Sequence, residues 1–272
     1  MKQIPLNNPD LNNFKVWINR SIQTEILSKD LQKLYQNWQQ NELARQDFET
    51  NLTDEIKAEW IDGKIVIQSP VNKAHNNLQM NLAHSLNSYV NKNKLGYVGG
   101  EKLMVRLLNY NLEPDISFFK DKQFPDEQVL FPAPDFVVEI LSKSTEKFDR
   151  EKKFAEYALN NVLEYWIIHP NPNKFFVEQY ILEKGKYILK QKISKGKINS
   201  IAVKGYAINV EWLLDWLVLE NEMQKSILKK SFNLGKQETA LQIAQNLLQK
   251  NMPIQEISQI TGLSIKEIKS IK

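Results

Sequence analysis

Pro134-Asp135-Phe136-Val137-Val138-Glu139-Ile140-Leu141 is the run on which the fold turns. It is rich in β-branched and aromatic residues, and apolar side chains occupy both phases. That pattern predicts a central strand covered on both faces. Glu139 shares its phase with Val137 and Leu141, so the strand would bury a carboxylate, which is costly unless something positive meets it. A second run, Glu113-Pro114-Asp115-Ile116-Ser117-Phe118-Phe119, sets Asp115 at the head of another strand. Two things could offset the buried charge: a metal ion, or the lysine pair Lys152-Lys153 on the helix that follows.

Upstream, residues 1–52 read as a polar, mostly helical extension, with Leu31, Leu34 and Trp38 at helical spacing. The core is predicted to start at Ile56, where Asp62-Gly63 sits between two alternating runs. This dipeptide marks a hairpin, because both turn positions need φ > 0. A helix is expected over about 74–92, with Leu78, Leu82, Leu86 and Tyr89 as its apolar stripe. Strands are expected near 97–108, 114–119 and 134–141. Downstream come a helix near 144–160, with Ser142, Ser144 and Thr145 as candidate N-caps, and a strand at 164–168. Two more strands, 174–182 and 186–193, flank a hairpin loop at 183–185, and Leu213, Leu214 and Leu217 suggest a short closing helix. This order predicts an α/β (α+β) fold with a mixed central sheet flanked by helices.

The 272 residues suffice for one large domain with extensions, and 42% hydrophobic content supports a proper core. No apolar stretch approaches the roughly 20 residues of a membrane span. Met1–Asp10 lacks the pattern of a signal peptide, and a cytoplasmic location is expected. The absence of cysteine excludes disulfides, thiolate chemistry and Cys-based metal sites. The net charge of +4 resides in residues 222–272, which hold eight lysines and four glutamates. This tail is helical by pattern: Ala240, Ile243, Leu247 and Leu248, then Ile254, Ile257 and Ile260 before Thr261-Gly262, then Ile265 and Ile268. Two short helices around a Gly-containing turn are compatible with a helix-turn-helix, but any αα-hairpin has the same pattern, and core packing or oligomerisation is the favoured role.

Five blocks carry a family resemblance: 59–65 (Glu59-Trp60-Ile61-Asp62-Gly63-Lys64-Ile65), Ser69-Pro70 with His75, Glu113-Pro114-Asp115, 134–142, and Lys153-Phe154-Ala155-Glu156-Tyr157 with Glu164-Tyr165-Trp166-Ile167-Ile168. Together, over about 56–217, they resemble the Uma-type restriction endonucleases, a branch of the PD-(D/E)XK nuclease superfamily. The resemblance implies a restriction-endonuclease-like domain, taken as residues 53–221, holding Mg²⁺ or Mn²⁺ on strand-end carboxylates. It implies Asp115 and Glu139 as metal ligands and Glu59 as an additional acid, although an exposed hairpin glutamate is the competing reading there. Hard divalent ions favour oxygen ligands, in agreement with this set.

The superfamily lysine expected two residues after the acid is replaced by Leu141. Lys153, on the next helix and on the same face as Tyr157, is its implied substitute. His75 is a candidate for phosphate contact, metal binding or proton relay. His84 and His169 receive no role, Asp135 is expected to shape the turn into its strand, and Tyr165 and Trp166 read as core. The expected activity is metal-dependent hydrolysis of DNA phosphodiesters, with a homodimer favoured if both strands are cut. The alternative is a catalytically weak or inactive nuclease-fold module for nucleic-acid binding or assembly. A helix-turn-helix regulator is the third reading.

Overall fold

The computed structural model describes residues 29–52, 58–67 and 70–271. Ile56, Lys57 and Ser69, and the side chains of Leu31 and Leu34, therefore lie outside the described residues. Helix α1 (Lys29–Thr50) leads to a hairpin of β1 (Ala58–Ile61) and β2 (Lys64–Ile67). At its turn Asp62 and Gly63 have φ of 49° and 77°, as the Asp-Gly signal requires. Next come α2 (Lys73–Asn93), β3 (Gly96–Gly99), β4 (Met104–Arg106), β5 (Asn111–Leu112), β6 (Ile116–Lys120), β7 (Leu130–Phe131) and β8 (Phe136–Ile140). A helical segment follows in three parts: α3 (Glu146–Phe148), a π-helical turn over Asp149–Lys153, and α4 (Phe154–Leu159). Strands β9 (Glu164–His169), β10 (Phe176–Glu183), β11 (Lys186–Ile193), β12 (Lys197–Asn199) and β13 (Ala207–Asn209) complete the β structure. Helices α5 (Trp216–Gln249), α6 (Ile254–Thr261) and α7 (Ile265–Lys269) form the C-terminal part.

The central sheet has the order β11-β10-β9-β8-β6-β3. Only β8 and β9 are parallel in it, and the helical segment is their crossover. Both faces of β8 are covered. Val138 and Ile140 pack with Leu78, Leu82, Leu86 and Val90 of α2, whereas Val137 and Leu141 pack with Tyr157, Val162 and Tyr165. The predicted stripe on α2 is thus correct except at its last position, where Val90 is fully buried and Tyr89 packs at the margin. Each fully buried leucine there stabilises the fold by roughly 1.5–3 kcal/mol.

A smaller sheet, β2-β1-β5-β4-β7, faces the second side. The single strand expected over 97–108 is therefore two strands in different sheets. Gly99 lies at the crossing: a Cβ there would lie 2.5 Å from Leu103 Cδ1 and 2.7 Å from Ser117 Oγ, so a side chain would require these two to shift. Lys102 then turns the chain with φ of 68°.

The first helix is not a detached extension. Arg45, 3% exposed, sends its guanidinium into the core and donates to Asn111 Oδ1 at 2.6 Å and to the carbonyls of Leu107, Leu108 and Tyr110. At the other end, α5 is continuous across residues 221 and 222. The predicted short closing helix is a 3₁₀ turn over Val210–Leu214 followed by this long helix. The tail has its own small core of Ala244, Ile257, Leu263 and Ile268, with Gly262 in the left-handed region (φ 71°) between α6 and α7. Ile243 and Ile260, read as apolar-face positions, are instead exposed. Among the described residues no helix is long and apolar enough to cross a membrane.

Candidate active site

A cleft of about 550 Å³ opens between the β1–β2 hairpin, the start of α2 and the helical segment after β8. Glu59, His75, Asp115, Glu139 and Lys153 all line it, and so do Glu113, Asp149 and Lys152. The five residues proposed from sequence, drawn from positions 59 to 153, therefore share one cavity.

Asp115 sits just before β6. Its Oδ2 accepts the backbone amide of Ile140 at 2.6 Å and lies 3.3 Å from Nε2 of His75. Gln79 of α2 donates to the Asp115 carbonyl at 2.9 Å. Oδ1 of Asp115 accepts no hydrogen bond from a described residue. Glu139, 3% exposed, receives two donors on Oε1: Nζ of Lys153 at 3.0 Å and the hydroxyl of Tyr157 at 2.7 Å. Its Oε2 likewise takes no donor among the described residues. Each of the two carboxylates is thus braced through one oxygen, while the other carries no hydrogen bond from a described residue.

Glu59 is not an exposed hairpin residue. It is 1% exposed, and its Oε1 accepts the amide of Glu113 at 2.8 Å and lies 3.7 Å from Lys153 Nζ. Lys153 is 5% exposed and is not a surface lysine. It and Tyr157, four residues apart and on one helix face as their spacing predicted, both donate to Glu139. Lys152 points instead to the hairpin, where it pairs with Asp62. Asn72 caps α2 by accepting the amide of His75 at 3.1 Å, which fixes where that ring enters the site, and His75 Nδ1 is buried without a partner.

The electrostatics follow from burial and crowding. Burial pushes the Glu139 carboxyl well above the usual range; Lys153 and Tyr157 oppose this, while Asp149 and Asp115 add to it. Burial also raises Asp149, against the pull of Lys153. For Lys153, burial favours the neutral amine, but Glu139, Glu59, Asp149 and Asp115 outweigh it and hold the ammonium charged. Several buried acids thus crowd one buried lysine in a region of low dielectric, and burial together with their mutual repulsion raises Glu139 and Asp149.

The sequence reading missed Asp149, because an acid inside a charged helical run (Asp149-Arg150-Glu151-Lys152-Lys153) looks like a solvated face. Its i, i+4 spacing to Lys153 was the available signal. Of the residues set aside, Asp135 accepts the Lys120 amide at 2.7 Å and steers the chain into β8 as expected. His84 lies by Trp216 and Glu220, and His169 accepts the Asn171 amide; neither lines the cleft.

Among the described residues no three His, Asp or Glu side chains converge as a ready-made metal cage. Two carboxylates, each with one oxygen that takes no donor among the described residues, nevertheless fit an Mg²⁺-type ion, which keeps several waters and uses one or two carboxylates besides its substrate.

Residues 41–211 match Uma2, described as "Putative restriction endonuclease". The chain belongs to the Uma2 family. The match begins inside α1, ahead of the region covered by the sequence resemblance, in line with the burial of Arg45. Residues 237–272 match the C-terminal HTH domain of the Rpn/YhgA-like nuclease family, so the helix-turn-helix pattern disfavoured from sequence is supported here. An uncharacterised protein of Synechocystis sp., slr1290, is 29% identical over 115 residues, covering 41% of this chain and 60% of the relative. Among solved structures, one described as a putative nuclease belonging to DUF820 from Anabaena variabilis superposes with a TM-score of 0.53. It is 21% identical to the Uma2 chain, and the match covers 62% of this chain and 96% of that one, which establishes a shared fold.

Proposed function

We propose that this Uma2-family chain is a divalent-metal-dependent endonuclease that hydrolyses DNA phosphodiester bonds. The observation that carries the reading is the paired bracing of Asp115 and Glu139 on a shared cleft, each with one oxygen that takes no donor among the described residues. Asp115 and Glu139 would hold Mg²⁺ or Mn²⁺, with Glu59 as a buried acid behind them. A bound divalent ion would supply Lewis-acid stabilisation of the phosphoryl oxygens and an activated water. A cation bound there would offset the repulsion among the crowded acids of the cleft.

The chain's own residues do the positioning. Lys153, charged and beside Glu139, is placed to orient the attacking water or to stabilise charge growing on the phosphate. It stands in for the lysine missing at Leu141. Tyr157 and Lys153 together hold Glu139 Oε1, which directs its other oxygen away from them. His75 and the Ile140 amide do the same for Asp115. The match to an HTH domain supports DNA as the partner, held through the lysine-rich tail, and cutting of both strands by chains with one site each favours a homodimer.

The test is cleavage of plasmid DNA with Mg²⁺ or Mn²⁺ by wild type, D115A and E139A. Wild-type cleavage lost in both variants, with folding retained by circular dichroism, is the expected result. Persistent cleavage in both removes the site. DNA binding without any cleavage by the wild type would instead favour a non-catalytic binding module.

A further inference from the structure

Lys153 is ringed by three carboxylates, and one of them has no part in the reaction so far described. Asp149 is 2% exposed, lines the cleft, and opens the π-helical turn that Lys153 closes. Around Lys153 Nζ stand Glu139 Oε1 at 3.0 Å, Asp149 Oδ1 at 3.5 Å and Glu59 Oε1 at 3.7 Å. They come from β8, the π turn and β1. An ammonium has three donors, so the three acids match its capacity. Only the Glu139 contact is of hydrogen-bond length, and Asp149 Oδ1 is buried with no hydrogen bond of its own. A buried acceptor left in that state is costly, and π turns of this kind recur at functional sites.

Resting on the nuclease reading above, we propose that Asp149 is a positioning residue for Lys153. It anchors the ammonium from within the same helical turn. Lys153 thereby keeps its place at the cleft when Glu139 engages a bound cation or substrate. Without Asp149, the four-carbon stem of Lys153 would follow whichever carboxylate remained, and the nitrogen would lose its fixed point relative to the reacting phosphate.

The experiment compares full-length wild type with D149A, D149N, K153A and D149A/K153A in steady-state cleavage of plasmid DNA. D149A is expected to lower kcat by about 10–100-fold with KM and thermal midpoint little changed, as for other supporting partners of a site. D149N, which keeps an acceptor oxygen, should fall less. In the K153A background D149A should add no further loss, since it acts through the missing lysine. Wild-type rates in D149A, or a loss that multiplies with that of K153A, would overturn the proposal. A second readout needs no cleavage: acetylation of Lys153 by acetic anhydride, followed by mass spectrometry, should be several-fold faster in D149A than in wild type. Unchanged labelling would overturn it as well. A wild type that cleaves no DNA defeats the nuclease reading, and the labelling still decides the role of Asp149. Should D149A fail to fold, D149N carries both measurements.

Discussion

The backbone amide of Ile140 donates to Oδ2 of Asp115 at 2.6 Å. A carboxylate at the head of β6 is thereby tied to the residue next to Glu139 on β8, and the two acids are set together by the sheet rather than by flexible side chains. Asparagine at 115 can still accept this bond but carries no charge. D115N is expected to cost less than about 1 kcal/mol in urea denaturation. Its Mg²⁺-dependent cleavage should fall by at least about 100-fold, the upper range for merely supporting groups. A stability loss as large as the activity loss would mean that Asp115 is structural.

Tyr157 supplies the shorter of the two bonds to Glu139 Oε1, and burial together with Glu139 raises its phenol pKa and keeps it a protonated donor. Y157F removes that donor without changing the ring packing. It should destabilise the protein by about 1.5–3 kcal/mol, the range for a hydrogen bond to a charged group. Cleavage should fall by about 10–100-fold as Glu139 loses its orientation. Denaturation and steady-state kinetics on the same preparation check both.

Arg45 ties the first helix to the segment that joins β4 and β5. Deleting 1–52 removes Arg45 and leaves four acceptors between residues 107 and 111 without their guanidinium. The point variant R45A should cost about 3–5 kcal/mol, as for a broken buried charged pair. Soluble yield and thermal midpoint report both, and a stable 53–272 fragment would contradict this account.

Glu164 is wholly buried at the start of β9 and accepts five bonds, from Trp166, Gln179, Ser200, and the amides of Ile201 and Ala202. It does not line the cleft. E164A should destabilise by at least about 3 kcal/mol, because several buried donors lose their acceptor at once. At a temperature where it is still folded, its kcat should match wild type. A selective loss of kcat would place Glu164 in the catalytic machinery.

Glu178 gives a pH signature. Burial raises its carboxyl, but Arg150 at 2.6 Å and Lys192 at 2.8 Å outweigh burial and hold it below the ordinary value. A depressed folded-state pKa contributes stability that is full above the unfolded value of about 4.3 and is lost as pH falls through the folded value. Stability of the wild type should therefore decline faster than that of E178Q as the pH is lowered through this range. Parallel curves in urea titrations would rule the contribution out.

Periodicity carries local information, so the elements with strong patterns were legible: the Asp62-Gly63 hairpin, the α2 stripe, β8, β9 and the β10–β11 hairpin. The short strands β5, β7, β12 and β13 were not. At two or three residues each, they have too little alternation to stand out and exist because neighbours pair with them. The division of 97–108 was hidden for a similar reason, since β3 pairs with β6 while β4 pairs with β5 and β7, partners distant in sequence. In the tail, the spacing of Ile254 to Ile268 indicated helices, but which isoleucines are covered depends on how three helices pack.

The sequence by itself determined that a carboxylate at Glu139 is costly to bury and that Lys153 and Tyr157 share a helix face. These follow from side-chain chemistry and from the repeats of strand and helix, which act over a few residues. Only the tertiary structure decided that Glu59 is buried and that Asp149 belongs with Lys153. It also decided that one oxygen of Asp115 and one of Glu139 accept no hydrogen bond from the described residues. Those outcomes depend on segments up to 94 residues apart, from Glu59 to Lys153, being held to within a hydrogen bond's length or little more. No local pattern encodes a distance of that kind; packing of the two sheets and the crossover helix sets it.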